Sequence, residues 1–324
     1  MPAARYHVGA LPITVVSDGQ SWQDAGAVHG LVPRVMWERV TDTLNDQHQI
    51  PLGLNCLLLE SDGKTVLIET GQGDKDVEQI RSRGGAVGHG LLLQDLAALG
   101  VAPDDVDIVI NTHLHNDHCG WNTRHLGGEL RPTFANARYV IQAREWDVAT
   151  HPNERTRATY LADNLRPVES SGQLDLVDGE TQVTSQITVI ETPGHTADHA
   201  SVLIRDGGET AIYIGDIAQH RVQLERVAWI SAFDVLPLVS LETKKAFVRD
   251  AIAGNQLIFA VHTPFPGAGR LTQRDGKNHF VDEAPHEVAP RPPAPDTAPA
   301  TAGATSPNPN PNPNPTSAIH QGGS

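Results

Sequence analysis

Short apolar runs rich in β-branched residues recur through the first 283 residues, each bounded by turn-forming or charged positions. They predict strands over 13–17, 54–60, 65–69, 106–110, 138–141, 187–190, 200–204, 211–214 and 257–261. Apolar positions return at helical spacing over 91–99, stopped by Gly100, and over 241–253, stopped by Gly254. A third helix is predicted over 147–165. No repeat of fixed period is visible, which excludes a solenoid. Strands and helices in alternation predict a layered α/β domain.

The pattern stops near Glu283. Residues 284–324 hold eleven of the chain's 23 prolines, almost no large apolar side chain, and an Asn-Pro repeat from Asn308 to Pro315. Such a stretch cannot bury enough apolar surface to offset its conformational entropy, so it is expected to be a disordered tail beside a domain over 1–283. The net charge of −15 over 324 residues argues against a nucleic-acid footprint or a polybasic membrane patch. No apolar run is long enough for a transmembrane helix, and the first residues lack the pattern of a signal peptide. Cys56 and Cys119 are too few for a disulfide scaffold, so a reducing, cytoplasmic setting is expected.

The sixteen histidines change the picture. His113-Leu114-His115-Asn116-Asp117-His118 follows directly on the strand predicted over 106–110. In near-extended chain, His113 and His115 project to one side, so both imidazoles can grip one cation. Asp117 and His118 are consecutive and better placed to hold a second. Thr192-Pro193-Gly194-His195, Gly215-Asp216 and His262 each follow another predicted strand. Ligands at the C-terminal ends of strands gather at one edge of an α/β sheet, where such folds place their sites. Five imidazoles, two carboxylates and no thiolate suit zinc, with iron, manganese or cobalt as alternatives.

The run Thr112-His113-Leu114-His115-Asn116-Asp117-His118-Cys119-Gly120-Trp121-Asn122, then Thr192-Pro193-Gly194-His195, Gly215-Asp216 and His262, resembles the metallo-β-lactamase-fold hydrolase superfamily. The resemblance covers about residues 10–270 and implies an αββα sandwich carrying two Zn2+ ions. It implies one ion on His113, His115 and His195, the other on Asp117, His118 and His262, and Asp216 bridging them. Glu69 stands where the superfamily carries Asp. Gly120-Trp121-Asn122-Thr123, Pro132-Thr133-Phe134, the segment from Asp216 to His220 and the segment from Val261 to Gly267 are similar to the branch of methyl parathion hydrolases and some acyl-homoserine lactonases.

What the resemblance implies is a hydrolase in which a hydroxide shared by two ions attacks a small ester-like substrate. A lactone such as an acyl-homoserine lactone ranks first. The alternatives are an aryl ester or organophosphate, as in methyl parathion hydrolases, and a mononuclear iron persulfide dioxygenase. Asp117 and Asp216 are the expected catalytic carboxylates, and His220 is a candidate for assisting proton transfer. Gln219 occupies a position where the shorter lactonases use Tyr. His199 is read either as a support for a ligand or as an ordinary packed residue, and Cys119 as a small packed one. Trp22, Met36, Trp37, Trp121, Trp229 and Phe233 are expected to form an aromatic mouth for a small, neutral, partly apolar substrate. Trp22 or Trp37 is alternatively expected at a homodimer interface.

Overall fold

The computed structural model describes residues 3–41, 44–82 and 88–289. In chain order the strands begin with β1 (Ala3–Val8), β2 (Leu11–Asp24), β3 (Gln49–Ser61), β4 (Lys64–Ile68) and β5 (Ile108–Ile110). A short hairpin follows, β6 (Thr123–Leu126) with β7 (Glu129–Pro132), and then β8 (Arg138–Gln142) and β9 (Leu174–Val177). The second half supplies β10 (Thr181–Gln182), β11 (Ile187–Glu191), β12 (Ala200–Asp206), β13 (Glu209–Tyr213), β14 (Leu257–Phe259), β15 (Ala268–Arg274), β16 (Lys277–Asp282) and β17 (Glu287–Ala289). One sheet has the order β17-β1-β2-β3-β4-β5-β8-β9, the other β10-β11-β12-β13-β14-β15-β16.

The sheets stack face to face. Tyr6, Ile13, Leu57 and Ile68 of the first meet Val202, Tyr213 and Phe259 of the second in a single buried cluster. Each such side chain stabilises the fold by about 1.5–3 kcal/mol on leaving water. Helices Leu92–Ala98, Ala143–Thr150 and Ala162–Ser170 cover the outer face of the first sheet through Leu96, Trp146 and Leu165. Helix Pro237–Ala253 covers the second through Phe247, Val248 and Ala251. The order is helix, sheet, sheet, helix, the αββα sandwich that the motifs imply. β4, β5, β8 and β9 run parallel, as do β13 and β14, so several strand ends open onto one edge.

All nine predicted strands exist, with shifted ends. The helix expected over 147–165 is instead two helices, because Asn153 Oδ1 accepts the N–H groups of Arg155 (2.9 Å) and Thr156 (3.2 Å) and turns the chain. Among the strands not predicted are β1, β15 and β16, in which half-buried or exposed residues interrupt the buried ones and leave no continuous apolar run. Folded chain also reaches past Glu283, since β17 pairs antiparallel with β1, Ala289 opposite Ala3. The remainder of the expected tail, 290–324, lies outside the described residues. Among the described residues no helix is long and apolar enough to cross a membrane.

Candidate metal centre

Four strands deliver the site. The turn after β5 carries His113, His115, Asp117 and His118; the turn after β11 carries His195; the turn after β13 carries Asp216; and the turn after β14 carries His262. Thr112 O accepts the Ala200 N–H (2.9 Å) and Gly53 N–H donates to His262 O (2.9 Å), so the two sheets are tied together where the side chains converge. Gly215 is required here. Its φ of +52° suits glycine, and a Cβ would lie 2.5 Å from His199 Nε2 and 2.7 Å from Thr112 Oγ1.

Two donor sets form, with Asp216 at their junction. His113, His115 and His195 offer one nitrogen each, and Asp117, His118 and His262 offer a second group, with donor atoms in each set within 4.8 Å of one another. Asp216 Oδ1 lies 3.3 Å from His118 Nε2 and 3.1 Å from His262 Nε2, while Oδ2 lies 3.3 Å from His195 Nε2. All seven residues expected as ligands are therefore brought together. His113 Nε2, His118 Nε2 and Asp216 Oδ1 are buried with no hydrogen-bond partner among the described residues. Orphaned polar atoms cost free energy in a dry interior unless something binds them. Three buried atoms aimed at one spot fit a divalent cation.

The electrostatics agree with that fit. Burial pushes His113 and His115 well below the ordinary histidine range, and the neighbouring imidazoles add to it, which favours the neutral rings that a cation would need. Burial acts to raise the Asp216 carboxyl, but His262, His118 and His195 outweigh it and hold the group well below the usual carboxylate range.

A surrounding layer fixes the ring orientations. His195 Nδ1 donates to Asp234 Oδ1 (3.0 Å), His262 Nδ1 to Gly53 O (2.8 Å), and His113 Nδ1 lies 3.0 Å from Thr112 Oγ1. Glu69 sits at a φ of +66°, a backbone cost that recurs at functional sites. Its Oε1 accepts the Thr112 N–H (2.7 Å), and its Oε2 lies 3.3 Å from His118 Nδ1, an ion-pair distance at which the two atoms form no hydrogen bond. His199 is packed and supporting at once: Nε2 accepts the Asp216 N–H (2.9 Å) and Nδ1 donates to Thr192 O (3.0 Å). Cys119 is buried, its thiol directed at the carbonyls of Leu114 and His115.

A cleft of about 390 Å³ opens above the cluster. His115, Asp117, His195, Asp216 and His262 form its floor, and Leu52, Phe233, Val235, Arg155, Thr156 and Gln219 are among its walls. The expected aromatic mouth is corrected here, since Phe233 alone of the six residues lines the cleft. Trp121 faces inward because its indole N–H donates to the buried Asp18 (2.7 Å). Trp37, 4% exposed, stacks on His29, and Trp229 meets the same ring edge-on, so both are packed within this chain. His220 stands apart as well. It lines a neighbouring pocket with Phe265 and Pro266, its ring lies 5.4 Å from that of His29, and its Nδ1 accepts the Val222 N–H. Asp234 sits in a loop without flanking periodicity, and no sequence signal marked it.

The profile of the metallo-beta-lactamase superfamily matches residues 50–253. The chain belongs to that superfamily. It is 27% identical over 175 residues to an N-acyl homoserine lactonase from a Bacillus species, a match covering 51% of this chain and 63% of the relative, less than two thirds of its length. Among solved structures, a probable metal-dependent hydrolase from Staphylococcus aureus superimposes with a TM-score of 0.76 at 26% identity, covering 86% of this chain and 99% of that one. A dizinc quorum-quenching lactonase, AidC, shares the fold with a TM-score of 0.74 at 20% identity, over 87% and 97% of the two chains.

Proposed function

We propose that the chain is a dinuclear zinc hydrolase that opens a small lactone of the acyl-homoserine type. The observation that carries this reading is Asp216, whose two carboxylate oxygens face two separate donor sets. His113, His115 and His195 would hold one ion, Asp117, His118 and His262 the other, and Asp216 both. When bound, such a pair supplies an ionised water at neutral pH and polarises the substrate oxygen.

The chain's own residues do the rest. Asp234, as an acceptor at His195 Nδ1, favours the tautomer that leaves Nε2 free for an ion. Asp117 reaches the cleft floor beside Asp216, where both carboxylates meet the substrate's reacting end. Leu52, Phe233 and Val235 offer an apolar wall for an acyl chain, and Asn116, Thr156 and Thr159 face polar atoms. The complete second set of Asp117, His118 and His262 speaks against a mononuclear iron oxygenase. The relatives named as lactonases support a lactone over a phosphotriester.

The test is ring opening of acyl-homoserine lactones of graded chain length by zinc-reconstituted protein, followed as acid release. Asp216→Ala serves as the blank. A metal-dependent rate is expected. Protein shown to hold two zinc ions yet inert toward every lactone would overturn the substrate assignment and direct the assay to aryl esters and phosphotriesters.

A further inference from the structure

Glu145 lies in the helix Ala143–Thr150 and is buried, yet it is no part of either donor set. Its Oε1 accepts the Leu114 N–H (3.0 Å) and the Tyr160 hydroxyl (3.1 Å), and its Oε2 accepts the Thr196 hydroxyl (2.7 Å). Leu114 stands between His113 and His115, and Thr196 directly follows His195. The Tyr160 ring lies 5.0 Å from the ring of His115. One carboxylate therefore joins the turn after β5, from the first sheet, to the turn after β11, from the second. Those two turns carry all three imidazoles of one ion set.

A buried carboxylate is a costly way to tie two loops, because desolvation disfavours its charge and an apolar residue would pack there at less expense. All three partners are donors, which serve the ionised form. A negative charge held behind the two turns that carry these three buried imidazoles favours a cation among them, just as carboxylates placed behind metal-bound histidines do.

We propose that Glu145 is a positioning residue for the ion of His113, His115 and His195, setting the gap between their two turns and supplying charge that stabilises the ion. This rests on the two-ion reading above. It is tested on the apo form of the full chain by titrating Zn2+ against a chromophoric chelator, which needs no turnover. Wild type is expected to take two tight equivalents. Glu145→Gln is expected to weaken one of them about 10–100-fold and leave the other unchanged. In an Asp117→Ala background, which lacks the second set, the single remaining equivalent should weaken by the same factor on adding Glu145→Gln. Thr196→Val removes one of the three hydrogen bonds with the carboxylate still in place, and a smaller weakening of that same equivalent is expected.

Zinc affinities of Glu145→Gln equal to wild type at both equivalents overturn the proposal. So does weakening of the wrong one, seen as an unchanged affinity in the Asp117→Ala background. Should circular dichroism show that Glu145→Gln does not fold, Thr196→Val decides: an unchanged zinc titration overturns the positioning role. Wild type holding a single equivalent would overturn the two-ion reading instead, and Glu145→Gln would still be judged by whether that equivalent weakens. No bound equivalent in wild type overturns both.

Discussion

The two sides of the centre are built differently. On one, three buried imidazoles converge, and the ring of His195 is fixed by the carboxylate of Asp234. On the other, His118 is backed by Glu69 and His262 by a backbone carbonyl, while Asp117 keeps 22% of its side chain open to the cleft. The first side is all-nitrogen and meets the cleft only through His115 and His195; the second brings its own charge and is the more exposed at Asp117. Asp216 belongs to both, so its removal is the largest expected loss. Asp216→Ala should bring lactone turnover to the level of the metal-free protein and lower zinc content below two per chain. Normal content and rate would dissolve the bridge between the two sides.

The sides can be separated by removing one backing charge at a time. Glu69→Gln should weaken the equivalent held with His118, and Asp234→Asn the one held with His195, each by about 10–100-fold. Both changes keep the shape of the side chain and remove its charge. Zinc titration of the two variants should thus give complementary pictures, one losing what the other retains. If both variants weaken the same equivalent, the division into two sets is wrong.

A gentler contrast comes from metal removal. Exposure of Asp117 gives a chelator access to one side first, so zinc should leave wild-type protein in two phases under a large excess of chelator. The faster phase is expected to quicken severalfold in Glu69→Gln and to stay unchanged in Asp234→Asn. A single phase for both ions would mean that Asp216 couples them too tightly for the difference in burial to matter.

How much of this was legible in the sequence follows from chain distance. Four of the proposed ligands fall within six consecutive residues, and the other three each follow a strand by a few positions, so spacing and strand periodicity were enough to single them out. The backing groups have no such signature. Asp234 is a loop residue, and Glu145 sits in a helix whose polar positions look like solvated ones; only the fold brings either to the metal side. Large apolar residues were legible as buried but not as to where. Trp121 turned inward because its N–H had a carboxylate waiting at Asp18, and Trp37 found His29 within its own chain. His220 lies four residues after Asp216, yet the turn at 215–217 and the helix Arg221–Glu225 carry it to another pocket. The helical break at Asn153 was likewise invisible to periodicity, because an Asx turn depends on one side-chain oxygen.

Gln219 tests the finest difference between the sides. Its Nε2 donates to Asp216 Oδ2 (3.2 Å), the oxygen that faces His195, whereas Oδ1 has no hydrogen-bond partner among the described residues. The same amide lines the cleft. A donor there has two possible services: holding Asp216 toward the all-histidine side, or meeting the substrate's oxygen. Gln219→Leu removes the donor and nearly keeps the volume. A net hydrogen bond contributes about 0.5–1.5 kcal/mol, so the expected loss is only about twofold to thirteenfold. Where it falls separates the two services. If the amide steadies Asp216, zinc affinity on the His195 side drops and KM is unchanged; if it meets the substrate, both zinc equivalents stay and kcat/KM alone falls. Gln219→Glu sharpens the choice, since a second carboxylate beside Asp216 Oδ2 would repel it and bind the cation instead, raising zinc affinity on that side while slowing turnover.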